Sequence, residues 1–345
     1  MAKILQVSTD KIQVFKILFE TLEKIFSEIN IYFNKRKDQD NDVANGYMKI
    51  LEFEPTKTFL VDLRLYEDYF NKFYCENDLI VGIDLREFNE ILKTVDENDL
   101  LTMYIDSDDT YNLRLVVDQD HLNNVPFNST IFSLKILDIT PEKITLPNYP
   151  TDRHITMGCN EFHVACENMS KLYDHVELEC FNDKFTIKCN KSQTKILSQY
   201  ENVTIKVAQN QMTCAGPNRQ NTCNDLIKGT YNLRNFTTFN NFTKIFETLG
   251  IFMSYDFPLI IKYDFSNKSR LFLVISQVEE EFIKCDYGGE GCTENRIEEK
   301  VQKLKEKFQK LEEKFQKLEE KFRKLEIYKK LLEVDMMFKE EKIIL

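Results

Sequence analysis

The chain has 345 residues, 42% hydrophobic and 30% charged, with a net charge of −11. That supports a substantial core, divided between two domains, and no segment reaches the roughly 18 uninterrupted apolar residues of a membrane-spanning helix. Nine cysteines, odd in number and widely spread, read as reduced thiols of an intracellular protein, and "MAKILQVSTDKIQ" lacks the apolar run of a secretory signal.

The N-terminal half opens with a strand, "KILQV". The spacing of Ile12, Phe15, Phe19, Leu22 and Phe26 predicts a helix over 8–29, capped by Ser8, Thr9 or Asp10. Alternating segments "INIYFN", "YMKILEFE", "TFLVDLRL" and "KFYCE" predict strands. "DLREFNEILKTV" predicts a second helix with Phe88, Ile91, Leu92 and Val95 inward, and "DLLTMYID" and "YNLRLVVD" are further strands. Then comes "LDITPEKITLPNYP" (137–150), whose three prolines fit neither a helix nor a central strand, yet whose Leu137, Ile139, Ile144 and Leu146 are too apolar for a solvated linker.

After this strap the order recurs. "RHITMGC" is a strand, "NEFHVACENMSKLYD" a helix, and "HVELECF", "KFTIKC", "TKILSQY" and "VTIKVA" are strands. A second helix is expected over about 232–249, followed by "GIFMSYD", "PLIIKYDF" and "RLFLVISQV". Two copies of one α+β layout follow, with polar loops at 34–46 and 209–229. The expected divisions are 1–136, a connector at 137–150, 151–281, a Gly-containing linker at 282–297 and a helical tail at 298–345.

At this resolution of detail the chain resembles the DNA polymerase sliding clamps of the proliferating cell nuclear antigen family. "FNKFYCENDLIVGIDLREFNEILKTVDENDLLTM" (70–103) is similar to that family's first-domain signature. "FSLKILDITPEKITLP" (132–147) resembles its interdomain connector, "EFHVACENMSKLYD" (161–174) the first helix of its second domain, and "DFPLIIKYDF…RLFLVISQVEEE" (256–281) its C-terminal strands and acidic tail. The resemblance spans about residues 1–281. It implies the DNA clamp fold, two similar domains with helices on one face of antiparallel sheet. It also implies a non-enzymatic processivity factor without cofactors, closed as a homotrimer around double-stranded DNA. The edge strands expected to close it lie near Tyr111–Val117 and Lys195–Gln199. The implied partners are a DNA polymerase, other replication and repair proteins bearing clamp-binding peptides, and a clamp loader, at a nuclear or viral replication site and away from membranes.

The resemblance also assigns residues. The strap would form one wall of an apolar groove for partner peptides, through Ile144, Leu146 and Pro147. Phe53 and Leu60 would be its floor, and Pro258 and Val278 its C-terminal side. Lys16, Lys93, Lys171, Arg234 and Lys244, with Lys11 beside them, match the basic residues of the inner helices that meet phosphates without reading sequence. Glu90 and Glu167 stand where basic residues are usual, and Val164 replaces another. Residues 293–345 hold 15 Lys+Arg against 13 Asp+Glu, so the body before them carries about −13. A basic inner stripe can coexist with an acidic outer surface.

Other motifs carry less. His154, Cys159, His163 and Cys166 invite a zinc reading, and with it a metal-dependent nucleic-acid enzyme, but match no standard ligand spacing. "YGGEGCTEN" lacks the lysine of a phosphate loop, and four histidines assemble no triad. In the tail, Val301, Phe308, Phe315 and Phe322 alternate with Leu304, Leu311, Leu318, Leu325 and Leu332 as a coiled-coil seam, flanked by Lys307, Lys314 and Lys321 and by Glu312, Glu319 and Glu326 in a pattern that favours parallel pairing. The rival to a clamp is therefore a clamp-like coiled-coil scaffold that does not encircle DNA.

Overall fold

The computed structural model describes residues 2–39, 42–119, 129–142, 144, 152–182, 184–191, 194–200, 203–207, 226–255, 257–266 and 268–278. The chain divides into units Met1–Lys284 and Cys285–Leu345. Leu146, Pro147, the linker and the heptad tail lie outside the described residues.

The N-terminal half contains β1 (Lys3–Thr9), α1 (Ile12–Glu23), β2 (Glu28–Asn34), β3 (Lys37–Gln39), β4 (Asp42–Ala44), β5 (Tyr47–Phe53), β6 (Phe59–Tyr66), β7 (Lys72–Cys75), β8 (Leu79–Asp84), α2 (Leu85–Lys93), β9 (Leu100–Asp106), β10 (Asp109–Asp118) and β11 (Ser129–Lys135). The C-terminal half contains β12 (Arg153–Gly158), α3 (Cys159–Ser170), β13 (His175–Phe181), β14 (Lys184–Lys191), β15 (Thr194–Tyr200), β16 (Thr204–Val207), β17 (Ile227–Asn232), α4 (Arg234–Thr237), β18 (Thr248–Met253), β19 (Leu259–Asp264) and β20 (Arg270–Ile275).

The duplication is visible in the strand orders. One sheet of the N-terminal half runs β11-β10-β9-β1-β7, and its counterpart runs β20-β19-β18-β12-β16. The second pair runs β6-β5-β2-β8 and β15-β14-β13-β17. Within the chain β20 pairs antiparallel with β6, from Arg270↔Arg64 to Ile275↔Phe59, and fuses two of these sheets into one of nine strands. Alternation sends Leu63, Val61, Leu273 and Ile261 into the core beneath the helices, where all are buried. Helices α1 and α3 have 12 residues each and end on Lys24 and Lys171, both in the helical conformation.

Several expectations change. Helix α1 is shorter than 8–29: Ser8 and Thr9 belong to β1, and Ser8 Oγ is 2.9 Å from Thr102 Oγ1, so the cap position falls on Lys11 with no side-chain cap. The apolar period runs on past Glu23 because Phe26 folds back, its N–H donating to Leu22 O at 2.8 Å. The loop at 34–46 contains the short β3–β4 hairpin. The helix expected over 232–249 is a single turn, α4, and a 3₁₀ segment, Asn240–Lys244. Phe236, Phe239 and Phe242 recur at three residues, the 3₁₀ period, and the Thr237, Thr238 and Thr243 hydroxyls bond back to carbonyls of Arg234 and Asn240. Finally, β10 is not an edge. It lies between β9 and β11, so β11 ends that side of its sheet, as β15 ends one side of another.

Candidate functional site

Gly82 starts the strap's path across the outer face of the nine-stranded sheet. Leu137 N–H donates to Gly82 O at 2.9 Å, and a Cβ at Gly82 would stand 2.3 Å from Leu137 O, so only glycine permits this crossing. Asn30 Nδ2 then donates to Ile139 O at 3.3 Å, and Ile144 packs onto Leu51, Leu60, Ile260 and Val274, with Phe252 and Phe272 beside them. This cluster is separate from the main core and lies on the opposite face of the sheet.

The ladder registers make it a row with one residue per strand. Phe53, Leu60, Val274, Ile260, Phe252 and His154 stand side by side on β5, β6, β20, β19, β18 and β12. His154 stacks on Phe252 with ring centroids 4.2 Å apart and planes 5° apart. Phe53 is 37% exposed, so one end of the row is open. Pro258 is half-buried just before β19, and Val278 N–H donates to Thr230 O at 2.8 Å. The sheet's counterpart in the N-terminal half shows that the fold alone does not demand this apolar row. There the corresponding positions are Gln6, Tyr104, Arg114 and Ser133. Lys3 lies over Tyr104 at 4.0 Å, and Arg114 pairs with Asp106 at 3.3 Å and Asp109 at 3.1 Å.

The helices present a mixed face. Lys11 is engaged locally, its Nζ donating to Tyr69 O at 2.5 Å and lying 3.7 Å from the Tyr69 ring centre. Lys93 forms an ion pair with Glu90 at 2.7 Å, which holds the Glu90 carboxyl below its ordinary range. Lys171 donates to Asn168 Oδ1 at 3.1 Å, and Glu167 accepts from Asn240 Nδ2 at 3.3 Å. Lys16 is half-buried at mid-helix, whereas Arg234 and Lys244 are exposed. Val164 is also exposed. Sequence reasoning passed over Lys24, exposed at the end of α1 in the position Lys171 takes on α3. The duplicated helix length was the signal that could have found it.

The His/Cys cluster is divided by the sheet. His154 faces outward, whereas Cys159, His163 and Cys166 are buried, and burial pushes the Cys159 thiol up to about 12. Among the described residues no group of three or more His, Cys, Asp or Glu is placed to hold a metal ion. His163 instead bridges Tyr263 Oη at 2.9 Å and Asn240 Oδ1 at 3.2 Å. Burial, partly offset by the Asn240 bond, lowers its pKa to about 4. An unfolded histidine titrates near 6.5. Between these values the unfolded chain takes up the proton first, so stability is full above about pH 6.5 and falls as pH drops towards 4, by about 3 kcal/mol in total. Urea unfolding at pH 7 and at pH 4.5 should show this loss in the wild type and a shallower one in His163→Gln; equal slopes would remove His163 as the cause.

Family models for the N-terminal and C-terminal domains of proliferating cell nuclear antigen match residues 4–143 and 145–278. The chain belongs to the proliferating cell nuclear antigen family. Relatives of this family member include a probable DNA polymerase sliding clamp of Acanthamoeba polyphaga mimivirus, 23% identical over 244 residues, 70% of this chain. The match spans half the length of that mimivirus protein. A probable DNA polymerase sliding clamp 1 of Paramecium bursaria Chlorella virus 1 is 23% identical over 267 residues, 77% of this chain and 93% of its own. The crystal structure of the antigen from Thermococcus kodakaraensis superposes with a TM-score of 0.64 at 18% identity, covering 79% of this chain and all of that one, a likeness of fold.

Proposed function

We propose that the chain is a DNA sliding clamp, a non-catalytic polymerase processivity factor that closes as a homotrimer around duplex DNA. Partner peptides dock by apolar anchors in the groove under the strap, with Phe53, Leu60, Ile144, Leu146, Pro147, Pro258 and Val278 as its walls and floor. The observation that carries this reading is the pair of open edges. β11 and β15 are the counterparts of β20 and β6, which pair inside the chain. If the seam between protomers repeats the seam within one, contacts run head to tail and close cyclically, leaving no open edge there. Transferring the register through the ladders sets Phe132 against Ile196 and Ile131 against Leu197 of the next protomer. Ile131 and Leu197 are 61% and 46% exposed, and this pairing covers both.

Directly opposite Cβ atoms stand about 4.5–5.5 Å apart, within disulfide reach. Ile131→Cys with Leu197→Cys, oxidised under dilute conditions, should give a covalent trimer on a denaturing gel, and neither single variant should. A monomeric mass by light scattering, or a covalent dimer as the end point, would rule the ring out.

A second reading, the clamp-like scaffold, draws on the mixed helix face, above all the Glu90–Lys93 pair and the engagement of Lys11. Retention on circular but not linear DNA after loading separates the two, since a ring holds by topology and a scaffold does not.

A further inference from the structure

Four residues along the strands from the apolar row runs a second one. Tyr32, Lys49, Arg64, Arg270 and Asp264 stand side by side on β2, β5, β6, β20 and β19. Three cations are therefore neighbours on adjacent strands, where like charges repel. Arg64 has Asp62 at 3.4 Å. Among the described residues neither Lys49 nor Arg270 forms a carboxylate ion pair within 4 Å, although Asp264 stands opposite Arg270 in the ladder and the Asp62 charge partly offsets the field at Lys49. Lys49 lies 6.0 Å from the Tyr32 ring centre, and the Arg270 guanidinium 4.9 Å from that of Phe272. Arg270 Nε is buried without an acceptor. Burial first, and then Arg64, hold the Lys49 ammonium below its ordinary pKa.

The fold does not require this row. At the corresponding positions on the open edges, Thr186 opposes Gln199 and Asp118 opposes Ser129. Composition does not supply it either, since the chain carries −11 overall. The row costs repulsion and leaves a buried donor unsatisfied, a cost that an anionic ligand would relieve.

We infer that the Lys49–Arg64–Arg270 row binds acidic side chains of the same partner peptide whose apolar anchors enter the groove. This rests on the groove reading above. Four residues of strand span about 13 Å, so the acidic cluster lies about four extended residues from the nearest anchor. A nucleic acid would match the cations but would leave the adjoining apolar row without a counterpart.

The test uses the full chain and two fluorescent peptides. Both carry one helical turn with leucine and aromatic anchors; one continues into four Asp/Glu residues and the other into four Ser. By anisotropy at about 50 mM salt, the acidic peptide should bind about tenfold tighter, which is about 1.4 kcal/mol. The preference should shrink below about twofold at about 500 mM salt. Lys49→Gln with Arg270→Gln should remove it without changing the Kd of the serine peptide. Equal affinities, or a preference that survives the double variant, would overturn the inference. If neither peptide binds, the groove reading fails on its own. A hexaglutamate peptide then decides the row: binding lost in the double variant supports it, and no binding overturns it. Duplex DNA binding that the double variant abolishes while acidic-peptide binding persists would assign the row to nucleic acid instead.

Discussion

Replacing Leu60 and Ile144 together by Ala should weaken a docking peptide about a thousandfold while the chain stays folded and assembled. Buried apolar anchors at a groove's centre are worth about 2 kcal/mol each, and about 4 kcal/mol is three decades of affinity. Leu60 is 2% exposed and Ile144 packs on it, yet both belong to the small outer cluster rather than the main core. Truncation there removes the floor and one wall of the groove and leaves the helix–sheet packing in place. The two sites touch, so the single variants need not sum to the double, and all three belong in one calorimetric series. An unchanged peptide Kd with an unchanged melting curve would mean that the strap is only a connector.

The second large effect is expected from Phe242→Ala. Phe242 is wholly buried, with ring centres of Phe239, Phe246 and Tyr263 at 5.3, 5.6 and 5.1 Å. Removing a fully enclosed ring costs about 3–5 kcal/mol, because the loss of transfer free energy is joined by a cavity the neighbours only partly fill. For a unit of this size that lowers Tm by about 5–8 °C. Scanning calorimetry reads it directly, and a shift of a degree or two would mean that the 3₁₀ segment can collapse into the space.

Most strands and the duplication were legible because period-two alternation persists wherever one sheet face is buried, as in "TFLVDLRL" and "RLFLVISQ". The misreadings have physical causes. Phe236, Phe239, Phe242 and Phe246 step by three, three and four, which on a sequence reads as a helix face, although two of those steps are the 3₁₀ period. The strands expected of the N-terminal half end at "YNLRLVVD", so the edge strand β11, Ser129–Lys135, goes unread, although the division at 136 leaves it within that half. At the candidate site, the meeting of Ile144 with Leu60 was legible only through the family resemblance, since residues so distant in sequence share no local pattern. Phe252, Phe272 and the cation row were not legible at all. They become neighbours through strand register, which no single segment encodes.

The seam between β6 and β20 gives the groove a mechanical character. The outer cluster draws Leu60 from one half of the chain and Val274 and Ile260 from the other, and Ile144 packs on the same line. Any flexing of the two halves about that line changes the groove's width. On the proposed reading, a seated peptide would act as a splint: it would resist the bend, and the stiffness of the whole plate would become a property that its occupant sets.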